Sequence, residues 1–258
     1  MYAIVTAGGI PQPGDPLYEF TAGLPKALLD LAGKPMIQWV LDALSQAASV
    51  EEVILVGLED SSTVQCEKKM HYVTNQGGIL QNMRAGVEKA LALDPEAHHV
   101  LAVSSDIPAI KPEMVDWLVD TAMQTDDDIY YNVITRQVME ARFPNSKRSY
   151  IHLKNAEVCG GDMNMIRAKT VTGNDELWER IISARKSAFK QAALIGYGTL
   201  LLLLLRQLKV ESGVKRVCER LNIRGRVLFC PFAEVGMDVD KPHQLEIMRA
   251  DLVEKAMA

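Results

Sequence analysis

Cysteine is scarce in this chain of 258 residues, and the four cysteines are spread along the sequence. No C-x-x-C pair occurs, which argues against a zinc knuckle and against a disulfide scaffold. We therefore expect reduced, buried thiols at Cys66, Cys159, Cys218 and Cys230. Positive charge is also not in excess, because the formal net charge is −5. Without a basic field for a phosphate backbone, nucleic acid is not expected as a partner.

A long apolar run is missing as well. The best candidate, Ala192–Leu205, ends in six leucines, Leu200–Leu205, and is interrupted by Gly196 and Gly198. It is shorter than the about 17 to 25 residues that span a bilayer, so no transmembrane segment is predicted. The run predicts a buried helix, with burial in a homo-oligomer or against a membrane surface left open. Met1 leads directly into the first strand without a secretory leader, which predicts a cytoplasmic protein.

Strands and helices alternate through the first half of the sequence. Apolar, β-branched strands are predicted at Ala3–Thr6, Glu52–Gly57, His71–Thr74 and His98–Ser104. Amphipathic helices are predicted after Pro35 and over Ile79–Leu93. This alternation predicts an α/β fold, a Rossmann-like three-layer α/β/α arrangement with a mostly parallel sheet. Ligands of such sheets lie at the carboxyl ends of the strands.

The first predicted strand ends in Ala7-Gly8-Gly9, where missing side chains let backbone N–H groups approach a ligand closely. Lys26, which follows Pro25, offers a cation that can balance the negative charge of a triphosphate held over this loop. Together these residues indicate a nucleotide site.

Two acidic segments are candidates for a metal site. Asp106 follows the strand His98–Ser104, and Pro108 prevents that strand from continuing. In the tail, Asp238 and Asp240 stand at alternate positions, which point to the same side of an extended segment. Mg²⁺ is usually shared between one or two carboxylates and substrate phosphates. A turn or a helix cap explains each acid equally well when it is considered singly.

The segment Thr21-Ala-Gly-Leu-Pro25-Lys26-Ala-Leu-Leu, with Gly33-Lys34-Pro35-Met36-Ile37 and Val40-Leu41, resembles the signature of the GT-A-type nucleotidyltransferases. Its spacing resembles the sugar-phosphate nucleotidyltransferases, whereas the compact size and the tail resemble the MobA-like nucleotidyltransferases. The resemblance covers about the first 110 residues and returns near the C-terminus. It implies a GT-A-like fold and a Mg²⁺-dependent enzyme that transfers NMP from an NTP to a small phosphorylated acceptor, with release of pyrophosphate.

The resemblance also implies roles for particular residues. Catalysis is expected from Lys26, Asp106 and Asp240. The metal ligands are expected to be Asp106 and Asp240, with Asp238 as the less favoured choice. The nucleotide is expected to bind at Ala7, Gly8, Gly9, Lys26, Gly77, Gly78, Asn82 and Ser105. The acceptor is expected at Gly160, Gly161, Asp162 and Asn164, where a β-bulge explains the glycines as well.

One position departs from the family pattern. The family carries an arginine in the glycine loop, where it contacts the phosphates of the nucleotide, and here Pro16 takes that place. Lys34, Arg84 and Lys154 are candidates to replace the missing cation, and Lys34 and Arg84 are favoured because their segments are expected to begin near strand ends. Without a replacement, catalysis is expected to be weak or lost.

The chain is predicted to be a single domain with three parts. Residues 1–125 form the nucleotide-binding half, 126–230 form an acceptor-side insertion, and 231–258 carry the metal-ligand tail and the final helix. In the insertion, strands are predicted at Ile129–Thr135, Ser149–Leu153, Val158–Ile166 and Arg226–Cys230, and helices over Asn174–Ser187, Ala188–Leu208 and Glu211–Leu221. The basic side chains of Lys147, Arg148 and Lys154 suit an acceptor phosphate, although a solvated loop also explains them.

Other functions stay open at this point. A nucleotide-sugar glycosyltransferase of the same fold carries Asp-x-Asp at the metal strand, where this chain has Ser104-Ser105-Asp106. A regulatory nucleotide-binding protein is the alternative that Pro16 suggests. A Rossmann dehydrogenase is disfavoured, because no G-x-G-x-x-G follows the first strand. The sequence does not indicate which base, which acceptor or which oligomeric state is used.

Overall fold

The computed structural model describes residues 1–59, 63–173 and 196–257. Its main sheet has nine strands and begins with four that run parallel to one another. In spatial order these are β5 (Lys69–Val73), β4 (Glu52–Val56), β1 (Tyr2–Thr6) and β6 (His99–Ser104). Their carboxyl ends therefore lie at one edge of the sheet, where a ligand site is expected.

The second half of the sheet is mixed. It continues antiparallel from β6 through β10 (Met163–Arg167), β7 (Ile129–Thr135), β9 (Glu157–Gly160) and β8 (Ile151–His152). The last strand of the chain, β11 (Gly225–Phe229), pairs in parallel with β7. A separate two-stranded sheet is formed by β2 (Asp30–Leu31) and β3 (Lys34–Pro35).

Helices cover both faces of the sheet. They are α1 (Tyr18–Thr21), α2 (Met36–Gln46), α3 (Ile79–Leu93), α4 (Pro112–Ala122), α5 (Arg136–Arg142), α6 (Ala168–Thr172), α7 (Tyr197–Leu204), α8 (Val210–Leu221) and α9 (Pro242–Met257). Successive residues of β1 point to opposite faces, so Ala3 and Val5 pack with α2 and α4, whereas Ile4 packs with α3 and α6. The predicted three-layer α/β/α fold with mostly parallel core strands is confirmed.

Some local predictions need correction. The strand predicted over Val158–Ile166 is divided into β9 and β10 at Gly161 and Asp162. The helix predicted over Asn174–Ser187 and the first part of Ala188–Leu208 lie outside the described residues. Of the four cysteines, Cys159 and Cys230 are buried, whereas Cys66 and Cys218 are half-buried, and all four are free.

The leucine run was predicted to be a buried helix, and it is helical but not buried. Within α7 and at its end, Leu201, Leu204 and Leu205 are exposed by 57%, 79% and 59%. Hydropathy alone cannot show whether another element covers an apolar helix, and no described element covers these three side chains. None of the described helices is both long enough and apolar enough to cross a membrane.

Candidate active site

A cleft of about 470 Å³ opens at the carboxyl ends of β1 and β6. Gly8 and Gly9 form part of its wall, and Gly57 packs directly behind Gly8. A Cβ atom at Gly57 would lie 2.4 Å from the Gly8 backbone nitrogen, and the φ angle of Gly57 is +102°. Both facts require glycine at position 57, since only glycine allows this close approach and this conformation without strain. The close contact fixes where the glycine loop leaves the sheet.

Seven of the eight predicted nucleotide-binding residues line this cleft, and they come from four separate segments of the chain. They are Gly8, Gly9, Lys26, Gly77, Gly78, Asn82 and Ser105. Ala7 is the exception. Its side chain is only 2% exposed, and its N–H donates to the carbonyl of Val56 at 2.8 Å. The backbone of Ala7 thus extends the sheet and is not available to a ligand.

Asn75 holds the two glycine segments together, and the sequence had not pointed to it. Its Nδ2 donates to the Gly8 carbonyl at 2.9 Å, while its Oδ1 accepts from the Gly77 N–H at 2.9 Å. Asn82, which is 4% exposed, supports this arrangement by donating to Asn75 Oδ1 at 3.1 Å and accepting from the Gln76 N–H at 2.6 Å. The one signal that could have revealed Asn75 is its place just after the carboxyl end of β5.

Lys26 joins the two acids predicted for the metal site. Its Nζ lies 2.5 Å from Asp106 Oδ2 and 2.6 Å from Asp240 Oδ1, and its backbone N–H donates to the Gly9 carbonyl at 2.9 Å. Burial works against the charged form of Lys26, but the charges of Asp106 and Asp240 outweigh it, and the pKa of Lys26 is raised. Lys26 is therefore a permanent cation between two carboxylates.

Asp106 and Asp240 offer the oxygen ligands that Mg²⁺ prefers. Asp106 Oδ1 is buried and has no hydrogen-bond partner in the described part of the chain, so one lone-pair site remains to be satisfied. The Asp240 side chain is 54% exposed and can reorient. Because both carboxylates contact one ammonium, they border a single small space that a compact cation can occupy. The two residues therefore fit a magnesium ion.

Asp238 belongs to a different group of charges. It forms an ion pair with Arg148 Nη1, and Arg148 Nη2 lies 3.9 Å from Asp162 Oδ2. Asp238 and Asp240, two residues apart in the tail, therefore have different partners. Since Arg148 already neutralises Asp238, the structure leaves Asp240 as the tail acid beside Lys26. The interpretation of Arg148 as part of a solvated loop is wrong for this residue, whose side chain is only 14% exposed.

Asp162 is the one predicted acceptor residue that interacts electrostatically with the acids of the cleft. Burial raises the pKa of its carboxyl from the usual 3.8 to about 7, and the negative charges of Asp106 and Asp240 add to the effect. The positive charges of Arg148 and Lys26 oppose it. Asp162 is therefore close to half protonated at neutral pH, and additional positive charge nearby would favour its charged form.

We expect Asp162→Asn to stabilise the metal-free protein more at high pH than at low pH. The folded-state pKa lies above the unfolded one, so between these values the folded wild type holds a proton that the unfolded chain has lost, and stability falls as the pH rises through the folded pKa. The variant lacks this loss. Because the Asp162 side chain is 35% exposed and solvent screens part of the effect, its gain in the free energy of unfolding should be larger at about pH 8 than at about pH 5 by about 1 kcal/mol. Urea denaturation in a chelator at both pH values measures this, and a gain independent of pH would contradict the prediction.

The other three predicted acceptor residues build the junction between β9 and β10. A Cβ atom at Gly160 would lie 2.4 Å from the Tyr131 hydroxyl, and one at Gly161 would lie 2.9 Å from Asn132 Cβ. The Asn164 side chain donates to the Gly161 carbonyl at 2.9 Å and accepts from the Asn132 N–H at 2.8 Å. Close packing against β7 thus accounts for Gly161, whereas a Cβ atom at Gly160 would meet only the end of the Tyr131 side chain.

The cations proposed to replace the loop arginine lie elsewhere. Lys34 is paired with Asp42 and lies over the Trp39 ring at 3.7 Å, and Arg84 is paired with Glu88 at 2.9 Å. Neither they nor Lys154 line the cleft. A second cleft of about 420 Å³ adjoins the first, and its walls include Gly9, Pro16, Lys26, Asp240 and Lys241. Besides Lys26, Lys241 is the second lysine that lines this cleft with Pro16.

Comparison with known proteins identifies the family of the chain. The family described as the MobA-like NTP transferase domain matches residues 19–224. The matched range includes Lys26 and Asp106, whereas the Gly8-Gly9 loop and Asp240 lie outside it. A probable molybdenum cofactor guanylyltransferase from Thermococcus gammatolerans is 30% identical over 94 residues, which are 36% of this chain and 46% of the relative. The chain thus spans less than half the length of the curated relatives it matches.

Solved structures share the fold over nearly the whole chain. A hypothetical transferase from Thermus thermophilus is 31% identical, with a TM-score of 0.80 over 95% of this chain and 98% of its own. CMP:2-keto-3-deoxy-manno-octonic acid synthetase complexed with CTP is 18% identical, with a TM-score of 0.58 over 98% of this chain and 99% of its own. The second likeness shows the fold alone.

Proposed function

This chain belongs to the family of MobA-like NTP transferase domains, and from that premise we propose that it is a magnesium-dependent nucleotidyltransferase. The proposed reaction transfers an NMP group from an NTP to a small phosphorylated acceptor and releases pyrophosphate. The observation that carries this proposal is the convergence of Asp106 and Asp240 on Lys26 beside a glycine-walled cleft. Family membership favours it over a nucleotide-sugar glycosyltransferase.

In the proposed reaction, the backbone of Gly8 and Gly9 receives the phosphates of the nucleotide, and the Asn75 network keeps this backbone in place. Lys26 exchanges its carboxylate partners for phosphate oxygens as the triphosphate enters, because phosphates concentrate negative charge. Asp106 and Asp240 would hold magnesium, which neutralises phosphate charge and favours departure of pyrophosphate.

The bond changes require no covalent intermediate. An acceptor oxygen attacks the α-phosphorus in line, a new P–O bond forms, and the bond from this phosphorus to the bridging oxygen of the β-phosphate breaks. Pyrophosphate leaves with the electron pair of that bond. The reaction is accelerated because both substrates are held in line and because charge on the leaving group is stabilised. Lys26 lines the cleft and would stabilise the charge on the leaving pyrophosphate.

Pyrophosphate release tests the proposal. Purified protein is assayed with each of the four NTPs against a panel of sugar and polyol phosphates, with and without a chelator. GTP and CTP come first, since one relative is named for guanylyl transfer and one structural neighbour is complexed with CTP. We expect magnesium-dependent release with at least one pair. NTP binding without release for any acceptor would instead support the nucleotide-binding regulatory protein that Pro16 suggests.

We expect Lys241→Ala to weaken the binding of the magnesium–NTP complex about 3–10-fold, because an exposed charge-assisted contact is lost. This follows from the position of Lys241 in the same cleft as Pro16, Lys26 and Asp240. Isothermal titration calorimetry with the preferred NTP measures the effect. Lys111→Ala is the matched control, since Lys111 is half exposed and is paired with Glu113 outside both clefts. Equal affinity in the wild type and the Lys241 variant would mean that Lys241 does not replace the missing loop arginine.

A further inference from the structure

An apolar groove of about 430 Å³ lies between the second half of the sheet and the helices α7 and α8. It shares no lining residue with the nucleotide cleft, and almost all of its exposed lining is apolar. Side chains from β7, β9 and both helices contribute to it, among them Ile129, Val133, Val158, Leu203, Leu208 and Val217. A concave surface of this kind favours an apolar ligand.

Three leucines extend the apolar surface beyond the groove. Leu201, Leu204 and Leu205 are exposed, and their spacing of three and four residues puts them on one side of α7. Thr199 and Leu203, also four residues apart, line the groove from the opposite side of α7. Adjacent large apolar side chains at the surface mark an interaction site more often than isolated ones do. The groove and the exposed leucines, which α7 carries on its two sides, are together called the α7–α8 face.

Positive charge is concentrated on the same segment. Residues 196–226 contain seven basic and two acidic residues, a net charge of +5 in a chain whose net charge is −5. Arg224 and Arg226 pair with acids at 126–128. The other basic residues of the segment lie at the end of α7 or on and before α8, and they are Arg206, Lys209, Lys215, Arg216 and Arg220. These five are exposed, and Lys215 pairs with Glu219 along α8 at 3.9 Å.

We propose that the α7–α8 face docks on an anionic lipid bilayer and that the groove takes the hydrocarbon chain of one lipid. Leucines on one side of a helix enter the boundary between headgroups and acyl chains, while lysines and arginines beside them attract anionic headgroups. A second copy of the chain is a poorer occupant, because a twofold contact would bring the five exposed basic residues of one copy toward those of the other. An anionic lipid matches all three features, because its hydrocarbon chain suits the apolar groove and the leucines and its headgroup suits the positive charge.

Vesicle flotation tests the docking. The full chain is mixed with vesicles of phosphatidylcholine alone or with an equal share of phosphatidylglycerol. We expect binding to the anionic vesicles only, and its loss at about 1 M salt, where the Debye length is about 3 Å. Leu204→Glu should weaken vesicle binding at least tenfold. Val253→Glu is the matched control, because Val253 is an exposed apolar residue on α9 and should not contribute.

A fluorescent fatty acid probes the groove itself. We expect it to bind the wild type and to bind Val217→Trp at least tenfold more weakly, since the larger side chain fills the groove. NTP binding should be the same in all variants, so failure here is distinguishable from failure of the proposed enzymatic function. Circular dichroism checks that each variant folds, and the salt series on the wild type is independent of any variant.

Three results would overturn the proposal. The first is no flotation with anionic vesicles at low salt. The second is equal flotation of the wild type and Leu204→Glu. The third is a dimer of the wild type in sedimentation analysis that Leu204→Glu dissociates, which would assign the face to a second copy.

Discussion

Asp106→Asn is expected to lower kcat/KM for pyrophosphate release by about 10²–10³-fold, with the fold nearly intact. Asp106 lies directly after β6, contacts Lys26 and has one buried oxygen without a partner among the described residues. The amide keeps the shape of the side chain and removes the negative charge, so it should weaken the hold on a divalent cation rather than the packing. Steady-state assays over a range of magnesium concentrations, with thermal unfolding in parallel, measure both effects.

Matched substitutions show whether the loss of activity comes from the metal site or from the loss of any negative charge. Asp240→Asn should resemble Asp106→Asn, because Asp240 contacts the same ammonium. Asp238→Asn should cost less activity, since Asp238 pairs with Arg148. Asp42→Asn breaks a lysine–aspartate pair outside the cleft and should leave turnover unchanged. If Asp238→Asn is the most damaging of these variants, the tail ligand has been assigned to the wrong acid.

The fold could be predicted from the sequence where apolar periodicity was long and unambiguous. The helix Ile79–Leu93 has the predicted bounds because its apolar side chains match a period of 3.6 residues. The strand Ile129–Thr135 has them because it is rich in β-branched and aromatic residues. The predicted strand Val158–Ile166 failed at Gly161, where a side chain would meet Asn132. Periodicity does not report such a tertiary contact, so a bulge in an otherwise continuous strand is invisible to it.

The site could be predicted in part for a similar reason. Strand ends of a parallel sheet meet at one edge, so Gly8 and Asp106 were expected together, and they line the same cleft. The partners of the side chains could not be predicted in this way. The spacing of Asp238 and Asp240 does not show that Asp238 pairs with Arg148 and Asp240 with Lys26. Lys34 was likewise expected near a strand end, and its pairing with Asp42 follows from packing that no local pattern encodes.

The contact of Lys26 with both acids implies a competition. An ammonium and a divalent cation cannot both occupy the space between Asp106 and Asp240, so the metal-free chain uses Lys26 to offset two neighbouring negative charges. A triphosphate changes this balance, because it offers Lys26 other oxygens. Nucleotide and magnesium should therefore bind with positive coupling. The triphosphate draws Lys26 away from the carboxylates that bind magnesium, and magnesium on those carboxylates frees Lys26 for the phosphates.

Lys26→Met tests this competition, because it removes the charge and keeps much of the apolar side chain. Without NTP, the variant should bind magnesium more tightly than the wild type, since the competing ammonium is gone. In a chelator, its free energy of unfolding should fall by about 1–3 kcal/mol, because the mostly buried Asp106 loses its charged partner. Magnesium should restore that loss. Turnover should still drop about 10–10²-fold, because the charge-assisted contact to the phosphates is lost.

Calorimetric titration with magnesium and urea denaturation with and without the ion measure these changes. Lys241→Met is the matched control, since Lys241 lines the second cleft and forms no ion pair with a carboxylate of the described residues. It should leave magnesium affinity in the absence of NTP unchanged. Unchanged or weaker magnesium binding by Lys26→Met would mean that the ion does not use the space between Asp106 and Asp240. The metal assignment would then have to be abandoned even if the enzyme proved active, because the competition follows directly from the geometry of Lys26.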